Sequence, residues 1–143
     1  MNPFQSLREY EDFVYTLRQQ YPIIRQSTLV LIPRGRRLAV MQGEILFEQG
    51  FRLQVKERVS DETGQVVIET FGYEVWRDSE KLMWYDPQPH PHIQALQPTF
   101  PHHKHVPPDI KHNRVPATGI NFNQPNLPLL IEEISTLIQE LSR

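Results

Sequence analysis

All six histidines of this 143-residue chain lie between His90 and His112. Most fall in two short runs, Pro89-His90-Pro91-His92 and Pro101-His102-His103-Lys104-His105. Histidine titrates closest to neutral pH, so one stretch holds nearly all the proton-transfer and imidazole-ligand capacity of the protein. One chemistry it suits is metal-free RNA cleavage. A ribose 2′-OH needs a general base, the leaving 5′-oxygen a general acid, and the charged transition state a cation. His102, His103, Lys104 and His105 supply those residue types contiguously, with Lys111 and Arg114 nearby for phosphates. A second chemistry is metal binding. His90 and His92, like His103 and His105, are two apart, which in an extended segment puts both rings on one side. Two such pairs suffice for a divalent ion, although no carboxylate or cysteine completes a pattern locally. The third reading is non-catalytic: a rigid His/Pro loop that docks a partner.

The elements that must hold these residues are legible from periodicity. Ten of the thirteen prolines lie between Pro87 and Pro128. Proline restricts the backbone, so the irregular segment 87–125 is predicted to be ordered, anchored by Ile93, Leu96, Phe100, Val106 and Ile110. Upstream, Ser6-Leu7-Arg8-Glu9 has the form of a capping box. Leu7, Tyr10, Val14, Leu17 and Tyr21 then make one apolar stripe, predicting a helix over about 7–20. Strands occupy about 28–85, with Gly43 marking a bulge and short turns near Gly50, Gly64 and Ser79. Connections this short require antiparallel neighbours. A second helix over about 127–141 carries Leu127, Leu130, Ile131, Ile134, Ile138 and Leu141 on its buried side, with Asn126 as its cap. The prediction is one α+β domain, residues 1–143. It has an antiparallel sheet of about five strands flanked by N- and C-terminal helices, with a long ordered Pro/His-rich loop.

Phe51, Leu53, Val55 and Val59 alternate with Arg52, Gln54, Lys56 and Arg58, which makes Glu57 an inward-facing carboxylate. A buried carboxylate is costly unless paired, so Glu57 is expected either to meet an arginine or histidine or to be functionally poised. Net charge is only −2, yet Arg34, Arg36 and Arg37 cluster in one turn, opposite an acidic C-terminal segment with Glu132, Glu133 and Glu140. Such a basic patch suits a polyanion. The chain has no cysteine, which removes disulfides and thiolate sites, and no apolar run of membrane-spanning length. A cytoplasmic protein is expected, and a homodimer is compatible with the sequence.

Trp84-Tyr85-Asp86 leading into Pro89-His90-Pro91-His92, then Thr99-Phe100-Pro101-His102-His103-Lys104-His105, resembles the TumE family of toxin–antitoxin toxins. Gly43, the strands Phe51 to Val59 and Phe71 to Trp76, and the acidic C-terminal helix are similar in order, so the resemblance spans roughly residues 25 to 140. It departs after the TFPHHKH block, at Val106 to Arg114. The resemblance implies a small cytoplasmic toxin that acts on RNA, inhibits translation, and is neutralised by a cognate DNA-binding antitoxin. By position, the implied functional residues are His102, His103, Lys104 and His105, with His90 and His92. Arg34, Arg36, Arg37, Lys111 and Arg114 are the expected RNA contacts. No cofactor is expected, the alternative being a divalent metal at His90, His92, His103 and His105.

Overall fold

The computed structural model describes residues 2–87, 103–106, 114–116 and 119–141. The expected placements of His90, His92, His102 and Lys111, and of the loop between them, lie outside the described residues.

Helix α1 (Leu7–Tyr15) starts where predicted: the Ser6 hydroxyl accepts from the Glu9 amide at 3.1 Å. The predicted helix over 7–20 is broken, however, at Thr16. Its hydroxyl donates to the Asp12 carbonyl at 2.7 Å and its backbone leaves helical values, so only a short α2 (Leu17–Gln20) continues the chain. A threonine bonded back onto the preceding turn bends a helix in this way.

Among the described residues eight strands form one antiparallel sheet. They are β1 (Gln26–Ser27), β2 (Val30–Pro33), β3 (Leu38–Leu46), β4 (Phe51–Ser60), β5 (Val67–Arg77), β6 (Glu80–Asp86), β7 (His103–His105) and β8 (Arg114–Pro116). The order is β1-β3-β4-β5-β6-β7-β8, with β2 also on β3. Two differences account for the larger strand number. The first predicted strand, beginning at Thr28, is β2, and a separate short β1 precedes it in the same register against β3. Moreover, β7 and β8 come from the segment expected to be loop. Three-residue strands are too short for a sequence period to reveal.

Gly43 is not a bulge, since the β3–β4 register runs through it unbroken. It is instead a site of close approach. A Cβ there would lie 2.6 Å from the Thr28 carbonyl oxygen, and its φ of +142° favours glycine. The register shifts fall elsewhere, at Arg58/Val59 opposite β5 and at Val75/Trp76 opposite β6.

One face of the sheet is the core. Met41, Ile45, Leu53, Val55, Val59, Tyr73 and Val75 are buried there with Leu17 and with Leu130, Ile131 and Ile134 of α3 (Leu127–Leu141). The opposite face carries the alternate residues, among them Arg52, Lys56, Arg58, Glu74, Trp76 and Trp84.

Candidate active site

Strand β6 ends in Trp84-Tyr85-Asp86, and the alternation of a strand sends these side chains to opposite faces. Tyr85 points into the core side, while Trp84 and Asp86 belong to the outer face. Strand β7 pairs Trp84 with His105, Tyr85 with Lys104, and Asp86 with His103. His105 therefore stacks flat on Trp84, ring centroids 4.2 Å apart at 17°, and its Nε2 lies 3.3 Å from Asp86 Oδ2. His105 is 2% exposed and Asp86 8%. An imidazole held by a carboxylate has a defined tautomer and orientation, the arrangement that general acid–base chemistry and metal ligation both use. A depression lined by Glu69, Thr70, Phe71, Trp84, Asp86 and Phe122 opens beside the pair.

Lys104, one residue earlier, faces the other way. Its Nζ pairs with Glu133 of α3, and the Tyr85 hydroxyl donates to the same carboxylate. Burial, aided by that hydrogen bond, raises the Tyr85 pKa. The structure thus separates Lys104 from His105 by the thickness of the sheet. It brings His105 together with Asp86 and Trp84; in backbone register, Arg114 of β8 lies opposite His105 and His103 of β7 lies opposite Asp86. Arg34 and Arg36 are exposed in the β2–β3 turn, where Arg37 donates to the Asp61 carbonyl at 3.3 Å. From strand spacing and rise, that turn lies on the order of 30 Å from His105. Among the described residues, no group of three or more His, Cys, Asp or Glu side chains gathers in a way that holds a metal ion. Sequence reasoning passed over Asp86 as a site residue. Its signal was parity with Trp84 at the end of an alternating strand, but the histidine it meets belongs to a strand with no visible period.

Glu57 forms a second polar centre, inside the core. Among the described residues it meets no arginine or histidine, contrary to one expectation. The Tyr10 hydroxyl donates to Oε1 and the Tyr73 hydroxyl to Oε2. Asn126 Nδ2 in turn donates to the Tyr73 oxygen at 3.1 Å and to the Asn121 carbonyl at 3.0 Å. The Asn126 side chain, expected to cap α3, is thereby drawn into this network, which ties α1, β4, β5 and the start of α3 together. Burial pushes the Glu57 pKa up from 4.5 to about 7, with the two tyrosine hydroxyls opposing. Burial likewise raises Tyr10 and Tyr73.

The family model described as toxin TumE matches residues 14–138. No curated protein and no solved structure matches the chain. Among the described residues, no helix is long and apolar enough to cross a membrane.

Proposed function

The chain belongs to the TumE toxin family, the toxin half of a toxin–antitoxin module, and from that premise we propose that it acts by cleaving RNA. The observation that carries this reading is the Asp86–His105 pair on Trp84, beside an open depression. In the proposed reaction one histidine takes the proton of a ribose 2′-OH, and the 2′-oxygen attacks phosphorus. The bond from phosphorus to the 5′-oxygen breaks, and a second acid gives that oxygen its proton, leaving a 2′,3′-cyclic phosphate. His105, oriented by Asp86, takes one of these roles, and His102 or His103 the other. Lys104 anchors β7 through Glu133, and Arg114 and Lys111 hold phosphate. No metal enters this scheme. The partner is an antitoxin that covers the same cations.

Purified protein incubated with end-labelled RNA in the presence of a chelator tests it. His105→Asn should lower turnover by roughly 10²–10⁴-fold while circular dichroism stays native. Wild-type turnover by that variant, or cleavage abolished by the chelator, would sink the metal-free scheme. The depth at which His105 is buried favours a second reading, in which the segment is a docking surface and the histidine a structural member of it. On that reading His105→Asn weakens antitoxin capture, and the native protein cuts no RNA.

A further inference from the structure

Five side chains form an unbroken row across the outer face of the sheet. The Arg52 guanidinium lies 4.7 Å from the Trp76 ring, and the Lys81 ammonium 5.6 Å from Trp76 and 4.9 Å from Trp84. Trp84 stacks on His105 at 4.2 Å. The row starts on β4, passes through β5 and β6, and ends on β7 at the Asp86–His105 pair. Both tryptophans of the chain are in it, half-buried and on the face opposite the core. Tryptophans on the solvent side of a sheet contribute little to a core, and their register with cations is what base stacking beside a phosphate chain needs.

The ground beside the row fits the same ligand. A trough crosses the outer face at Gly72, where an added Cβ would meet nothing within 4 Å. It runs from Lys56 past Thr70 to the depression at Trp84 and Asp86. Besides Asp86, three carboxylates among the described residues share this face, and each of the three is held by a cation. Glu44 lies 3.8 Å from Arg52, Glu69 3.0 Å from Arg58, and Glu74 3.5 Å from Lys81, while Glu74 also accepts from Trp76 Nε1 at 2.9 Å. Lys56 is exposed and has no acidic partner among the described residues. A face with little net charge, flat rings and a trough suits stacking more than bulk phosphate attraction.

We propose that this row is the single-stranded RNA track of the protein: bases flanking the reacting phosphodiester stack on Trp76 and Trp84, and Lys81, Arg52 and Lys56 hold their phosphates. The proposal rests on the RNA-cleaving reading for its substrate and adds where, and in what strandedness, that substrate lies. Trp76 is a binding residue remote from the Asp86–His105 pair, so it separates binding from chemistry.

The test is fluorescence anisotropy with a labelled 2′-O-methyl oligouridylate, which binds but offers no attacking 2′-OH, and with its duplex as a second probe. Trp76→Ala should weaken single-strand binding roughly 5- to 100-fold, and Trp76→Phe should restore most of it. Lys56→Gln should lower the slope of log affinity against log salt by about 0.7. In cleavage assays Trp76→Ala should raise KM and spare kcat. Single-strand binding that Trp76→Ala leaves unchanged, a duplex bound as tightly as the single strand, or a native protein that binds neither would overturn the proposal. A Trp76→Ala variant that loses antitoxin but keeps the oligonucleotide would do the same, assigning the row to the protein partner. Trp76-dependent binding without turnover by native protein on any RNA would keep the track and refute the cleavage reading alone.

Discussion

Glu57 makes the stability of the fold depend on pH in a direction opposite to that of most carboxylates. Its pKa stands at about 7 in the folded protein against 4.5 for the free side chain, because burial disfavours the charged form more than the Tyr10 and Tyr73 hydroxyls favour it. Between those values the folded state binds the extra proton, so the contribution is fully present below pH 4.5 and is lost as pH rises through 7. At about 1.4 kcal/mol for each pH unit, the span is worth roughly 3 kcal/mol. Glu57→Gln mimics the protonated carboxyl and removes the titration. Urea unfolding of both proteins from about pH 4.5 to about pH 8 should therefore give nearly equal stabilities at the acid end. At the alkaline end the variant should be the more stable by roughly 2–3 kcal/mol. The comparison cancels every other titrating group the two proteins share. A stability difference that stays flat with pH, or one in which the native protein gains relative to the variant on going alkaline, would refute the reasoning.

Three further outcomes are expected. Gly43→Ala should cost roughly 1–3 kcal/mol in urea unfolding, since its Cβ would press on the Thr28 carbonyl and its φ is strained for alanine. Lys104→Ala should destabilise by roughly 1–3 kcal/mol, and in a double-mutant cycle Glu133→Gln should add much less on top of it than alone. Reversing Arg34 and Arg36 to glutamate should slow antitoxin association roughly tenfold at low salt, read by surface plasmon resonance, with the effect fading as salt rises.

The large elements were legible because burial imposes period. Phe51, Leu53, Val55 and Val59 are all buried as their alternation required, as are Leu127, Leu130, Ile131, Ile134 and Ile138, whereas Leu141, expected on the same side, is exposed at the last residue of the helix. Glu57 was legible as an inward carboxylate, since it sits in that series. Its partners were not, because Tyr10 reads as one more member of a helical apolar stripe until the helix is laid across the sheet. The site was legible in half. His105 stood out by type and company, but Lys104 was grouped with it by adjacency, and in a strand adjacent residues part to opposite faces. Asp86 was noticed within a motif and not as chemistry, because its role depends on β7 lying beside β6. No local pattern announces a three-residue strand; the unpaired hydrogen-bonding edge of β6 creates the demand for it.

The stack of His105 on Trp84 also gives the protein an optical reporter. Indole emission is quenched by a contacting imidazolium, and the chain has only two tryptophans. With Trp76 replaced by phenylalanine, Trp84 would be the sole indole emitter, its brightness tied to whether β7 is seated on β6. Stopped-flow fluorescence would then track the seating of the last piece of the candidate site in real time. The same trace, recorded during antitoxin binding, would tell whether the toxin is neutralised with that piece in place or with it pulled away.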